Sequence, residues 1–438
     1  MLMKTDQSEL LLSFLRLPGV YGRRAGILFA LLICFAPALP AYSVLTHEAV
    51  IDSAWDGSIR PLLLSRFPQS SAGDLVHAHA YAYAGCILQD MGYYPFGSRF
   101  FSDLVHYVRS GTFIVNLVRG AQDLNEYAFA LGALAHYAAD TEGHSIAVNR
   151  AVALQYPKLE RKYGASVTYA DKPSAHMQVE FGFDVLQVAR GNYAPQAYHD
   201  FIGFQVARPL LERAFRQTYS LELTDVFKDL DLALSTYRHT VSSIIPTMSR
   251  AAWQMKRNQL QSLQPGITKR KFVYNLSRAS YQKEWGGAYE QPGIGARLLA
   301  FLIRILPKIG PLKTLHFRPP TQQTDLMFQT SFDRTLDRYR GLLGDESRAR
   351  LAVEDRDFDT GAPTRATEYP LADSAYSELA IRLANLDPAS IDPLLRANVL
   401  AFFQDLNLPY ATKADPRLWR ATLAALDKLK ASSAAPAR

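Results

Sequence analysis

Eight side chains between positions 47 and 180 are of the types that hold metal: His47, Asp90, His106, His136, Asp140, His144, His176 and Glu180. Two pairs among them share one spacing, His136-x-x-x-Asp140 and His176-x-x-x-Glu180. In HYAADTEGH (136–144), His144 adds one more step of four, directly after the apolar run AFALGALA. Residues four apart lie on one helix face, about 5–6 Å apart at Cβ. That spacing lets an imidazole and a carboxylate grip one ion, and zinc accepts both ligand types at about 2.0–2.2 Å. A single such pair is ordinarily a side-chain hydrogen bond or a solvated pair. Two pairs beside apolar helical runs, joined by Asp90 and His106, predict an internal site for more than one ion. A ligand set of His, Asp and Glu without Cys suits zinc and leaves iron and manganese open. His77, His79, His199, His239 and His316 lack such company and read as ordinary surface or core histidines.

Strand signals are scarce and helical periodicity is common. Helices are predicted over 44–55, 74–88, 99–111 (ended by Gly111), 123–140, 174–189 (with Ser174 as N-cap), 197–219 and 223–263. They predict an all-α, multi-helix bundle over 42–265, and bundle cores commonly build metal sites from facing helices. A helical extension follows over 266–352. It includes the apolar, basic-ended segment ARLLAFLIRILPKIGPLK (296–313) and a helix over 325–344. The polar stretch EDRDFDTGAPTRATEYP predicts a linker over 353–372, with short C-terminal helices over 373–430 and a disordered tail over 431–438.

The chain has 438 residues, 48% of them hydrophobic and 20% charged, enough for a sizeable core. Its first 41 residues read as a signal peptide: basic residues through Arg24, the apolar AGILFALLICFA, and PALPA ending in small residues. The apolar run is too short for a comfortable membrane span. Cleavage after Ala41 would expose Tyr42 and send the protein to a secreted or periplasmic location. It would also remove four basic and two acidic residues, lowering the net charge from +7 to +5. That mild charge does not by itself argue for nucleic acid. One of two cysteines, Cys34, would leave as well, so Cys86 would have no internal disulfide partner.

The ordered set resembles the zinc-dependent phospholipase C family, related to the zinc-dependent single-strand nucleases. It rests on YSVLTH (Tyr42, His47), GCILQDMGYY (Asp90), SDLVHY (His106), ALAHYAAD (His136, Asp140), EGHSIAVN (His144) and SAHMQVEF (His176, Glu180). Tyr42 stands where the family usually has Trp, and Asp140 and His144 are four apart where six is more usual. The resemblance implies an exported, mostly helical enzyme with a trinuclear zinc centre. Asp90, His106, His136 and Asp140 would hold one Zn2+; His144, His176 and Glu180 a second; the Tyr42 terminus and His47 the third, with Asp140 bridging. It further implies attack of a zinc-activated water on phosphorus, with Asp90 taking the water's proton.

A phospholipase C is the leading expectation, its substrate a phospholipid or other phosphodiester. Segment 296–313 is suited to lie in a membrane surface, although an apolar helix of this kind is also an ordinary core helix. A single-strand nuclease is the alternative. It would stack bases on GYYPFGSRFF (92–101), but no dense basic patch accompanies those aromatics, and no nucleic-acid partner is favoured. A non-catalytic protein with structural metal is the third class. Structural zinc usually prefers a closed, Cys-rich site.

Overall fold

The computed structural model describes residues 44–190, 204–240 and 317–433, with the single positions 258 and 261. The expected signal peptide, Tyr42, His199, His316, segment 296–313 and positions 434–438 lie outside the described residues, as do parts of the helices expected over 197–219 and 223–263. The longer helices are α1 (Val44–Ala54), α2 (Ala72–Gly85), α3 (Arg99–Tyr107), α4 (Ser110–Gly120), α5 (Leu124–Gly143) and α6 (Pro173–Arg190). They continue as α7 (Arg208–Tyr219), α8 (Leu230–His239), α9 (Gln322–Ser347), α10 (Pro370–Leu383), α11 (Pro393–Phe402) and α12 (Pro416–Ser433). Among the described residues the only β-type pairing is the isolated bridge between Arg356 and Pro363. The all-α expectation therefore holds.

Helix α5 is the axis of the bundle. Asp123 caps it by accepting from Glu126 N at 2.8 Å. From Glu126 to Thr141 every side chain is buried, whichever way it points. A helix apolar on all sides belongs in the middle of a core. It packs chiefly on α2 and α9. Small residues set its distance from α2: a Cβ on Gly132 would stand 2.1 Å from the Ala82 carbonyl oxygen. Only glycine allows so close a backbone approach. On the other side Tyr339 of α9 donates to the Leu131 carbonyl at 2.9 Å, and Arg338 meets Glu142 at 2.8 Å. Helix α9, expected as part of an extension, is thus a wall of the bundle.

Three local differences from the sequence-based expectation have physical causes. The helix expected over 99–111 is broken in two, because Val108 is extended and Arg109 sits in the left-handed region at φ 49°. Its guanidinium, placed by that turn, donates to the Thr218 carbonyl at 3.0 Å, and Gly111 lies inside the next helix. Helix α6 begins at Pro173 rather than Ser174; proline suits a first helical position. Ala431–Ser433, expected in a disordered tail, close the last turn of α12.

The segment 353–372 is not a free linker. Asp357, Phe358, Asp359 and Tyr369 are buried. Tyr137 of α5 donates to the Glu354 carbonyl at 2.9 Å, and Ser110 of α4 bridges both backbone groups of Arg356. Polarity suggested solvent because the charged side chains are numerous; in the fold Asp355 and Asp357 accept from backbone N–H groups and Asp359 faces His144, while Glu354, Arg365 and Glu368 stay exposed. Beyond it, α10, α11 and α12 pack together through rings, Tyr376 stacking on Phe402 at 3.7 Å.

Candidate metal centre

The eight sequence-predicted side chains within the described residues all meet at one place. α1 brings His47, the turn after α2 brings Asp90, and α3 brings His106. α5 brings His136 and Asp140, and α6 brings His176 and Glu180. His144 stands on a π-helical turn, His144–Val148, that continues α5. Such wide turns are frequent at functional sites. Here the wide turn follows an Asp140–His144 step of four, and His144 stays in the cluster. All eight are at most 2% exposed. Burial of so many ionisable groups requires partners.

Two of the five histidines have their far nitrogen fixed by the backbone. His106 Nδ1 meets the Ser102 carbonyl at 2.8 Å, and His136 Nδ1 meets the Cys86 carbonyl at 3.0 Å. A carbonyl oxygen only accepts, so each Nδ1 carries the proton and each Nε2 turns a lone pair to the centre. What the Nε2 atoms face is carboxylate oxygen. Asp140 Oδ2 lies 3.1 Å from His136 Nε2 and 3.6 Å from His106 Nε2; its Oδ1 lies 3.4 Å from His47 Nε2 and 3.9 Å from His144 Nε2. Asp90 Oδ1 is 3.5 Å from His106 Nε2. Glu180 Oε1 is 2.8 Å from His176 Nε2 and 3.5 Å from His144 Nε2. Both oxygens of Asp90, of Asp140 and of Glu180, with Nε2 of His106, His136 and His176, make no hydrogen bond among the described residues.

Acceptors facing acceptors need a cation between them. Ligands about 2.1 Å from a tetrahedral ion stand about 3.4 Å from one another, and most of the distances here are close to that value. The donor set therefore fits zinc. Three groups have ligand atoms close enough to share an ion: His47, His136 and Asp140; Asp90, His106 and His136; and His144, His176 and Asp359. Asp140, with one oxygen toward each side, lies where a bridging carboxylate would.

At the centre, burial and the facing charges pull in opposite directions. Burial lowers the His106 imidazole, but Asp140 and Asp90 outweigh it and push it up to about 10. Burial raises Asp140, but His136, His144 and His106 outweigh it and hold it well below the usual carboxylate range. His47 is lowered, first by burial and then by His136, whose ring stacks on it at 4.4 Å. Burial leads in raising Asp90.

These residues fall almost wholly within one recognisable stretch. Residues 46–229 match the family model for zinc dependent phospholipase C. The family that the ordered histidines resemble is thus the family whose model matches. The stretch is under half of the chain. It contains every residue of the cluster from His47 to Glu180, while Asp359 lies beyond its end. Comparison with curated proteins and with solved structures finds no match for the chain.

Asp359 escaped sequence reasoning. It has no helical spacing to any ligand and sits in a stretch that reads as polar loop. Its only local signal is the motif DFDTG, an acid pair around an aromatic ahead of a turn glycine.

Proposed function

We propose that the chain is an exported zinc-dependent hydrolase of phosphodiesters that acts as a phospholipase C, cleaving the glycerol–phosphate bond of phospholipids. The observation that carries this reading is the convergence of imidazole Nε2 atoms and carboxylate oxygens at about 3.1–3.6 Å, inside the stretch that matches the zinc-dependent family. The metal ligands assigned are His47, Asp90, His106, His136, Asp140, His144, His176 and Glu180, with the Tyr42 terminus completing the set of three ions. Zinc, when bound, supplies Lewis acidity toward phosphoryl oxygen and makes water a nucleophile at neutral pH. The chain's own work is to hold that chemistry in place. Carbonyls fix the His106 and His136 rings, and Asp140 joins the two sides of the cluster. Asp90 has a carboxylate oxygen free of hydrogen bonds to take the proton of the attacking water. The leader-like sequence of residues 1–41 supports export, and segment 296–313 is assigned to membrane-surface contact.

The nuclease alternative is less favoured on one observation. Of the aromatics in GYYPFGSRFF, Tyr93, Tyr94, Phe100 and Phe101 are buried and only Phe96 is exposed. A base-stacking platform needs exposed rings. The test sets vesicles of mixed phosphatidylcholine, phosphatidylethanolamine and phosphatidylglycerol beside a single-stranded oligonucleotide. The expected result is zinc-dependent, chelator-sensitive release of diacylglycerol from the vesicles. Oligonucleotide cleavage without diacylglycerol would replace the lipid reading with the nuclease one.

A further inference from the structure

We infer that Asp359, from the segment after the family-matched stretch, is the positioning carboxylate for His144, so that the C-terminal half of the chain completes the metal centre. The inference rests on the metal reading above. His106 and His136 each have Nδ1 pinned by a backbone carbonyl, which leaves Nε2 for the centre. For His144 the group facing Nδ1 is a carboxylate: Asp359 Oδ1 lies 3.0 Å away in an ion-pair contact, while Nε2 faces Glu180 and Asp140. A carboxylate on the far nitrogen of a ligating histidine fixes its tautomer and ring angle and raises its basicity.

The loop is built to hold Asp359 there. Its second oxygen, Oδ2, accepts from the Tyr107 hydroxyl at 2.7 Å and from the Tyr369 hydroxyl. Its backbone N–H donates to Asp357 Oδ1 at 2.8 Å, and its carbonyl accepts from Asn149 Nδ2 at 2.7 Å. Gly361 turns the chain at φ +71°, and a Cβ there would stand 2.3 Å from the Thr141 carbonyl oxygen. Phe358 N–H donates to the His106 carbonyl at 3.3 Å, and its ring lies against His106 and His136. Every one of these tethers reaches a helix that also carries a ligand of the cluster, a residue within the loop, or a residue flanking His144 or the loop.

Asp359 as a direct ligand is the competing arrangement, since its ligand atom also lies within reach of His176. The geometry favours positioning. The oxygen near the histidine meets Nδ1, not the Nε2 that faces Glu180, and the other oxygen already holds two hydroxyls.

The experiment uses the full chain, wild type and variant, stripped of metal and titrated with zinc against a chromophoric chelator. It is combined with nitrogen NMR of the zinc-loaded His144 ring and X-ray absorption at zinc. Asp359→Ala is expected to weaken one class of zinc site about 10–100-fold and to scramble the His144 tautomer. Asp359→Asn, whose carboxamide oxygen can accept from Nδ1–H, is expected to lose less and to keep the wild-type number of oxygen ligands. Tyr369→Phe removes one hydroxyl from Oδ2 and gives a milder loss of the same site, which serves if the alanine variant does not fold. Unchanged zinc affinity and tautomer in Asp359→Ala, or an oxygen ligand missing from zinc in Asp359→Asn, overturns the inference alone. Wild type that binds no zinc overturns the metal reading and the inference with it.

Discussion

His136→Ala is expected to cut zinc-dependent hydrolysis by at least about 10³-fold, equivalent to about 4 kcal/mol of transition-state stabilisation. Among the described residues no other side chain stands in two of the three candidate groups: His136 belongs both with His47 and Asp140 and with Asp90 and His106. Its Nε2 is 3.1 Å from Asp140 Oδ2, the shortest approach that this carboxylate makes to a histidine of the cluster. Loss of the ring would also free the Cys86 carbonyl and remove the stack on His47. Steady-state diacylglycerol release by the variant, with its helical circular dichroism compared to wild type, measures this. A folded variant with wild-type turnover would show that His136 holds no catalytic ion.

Stripping the metal is expected to lower the melting temperature by roughly 10 °C. Asp90, Asp140 and Glu180 are buried together, and their oxygens find no hydrogen bonds among the described residues. Buried charge without a partner is strongly destabilising. Zinc present at about a thousand times its dissociation constant stabilises the folded state by about 4 kcal/mol for one site. For a large domain that is worth roughly 2–4 °C per kcal/mol. No disulfide backs up the fold where it is described, since Cys86 is a buried free thiol. Calorimetric melting before and after chelation, with zinc added back, checks the value. An unchanged melting temperature would mean that the cluster is settled by protons instead.

The site was legible where its residues obey helical spacing. His136, Asp140 and His144 lie on successive turns of one buried helix, and His176 and Glu180 repeat the pattern on α6, so the period alone puts them on common faces. Asp90 and His106 were legible by their order along the chain, which the family resemblance supplied. Asp359 was not legible, because a loop residue reaches its partner through tertiary folding and not through any period. The same blindness turned 353–372 into a linker: buried acids that accept from tyrosines and backbone N–H groups look in sequence like solvated ones. The break at Arg109 was hidden for a related reason. Its left-handed backbone is held by contacts to Thr218 and Asp392, both remote in sequence. The placing of α9 against α5 was also out of reach, since a 3.6-residue period shows that a helix has an apolar face but not which helix covers it.

The central claim is that the buried cluster holds zinc, and metal content tests it most directly. Elemental mass spectrometry of the purified chain, never exposed to chelator, should be run beside His176→Ala. His176 Nε2 approaches Glu180 at 2.8 Å, and removing it should empty one group while leaving the two that His136 shares. The account predicts about three zinc ions per wild-type chain and fewer in the variant. Folded wild-type protein without bound metal would contradict it, and would return these histidines to a purely structural network.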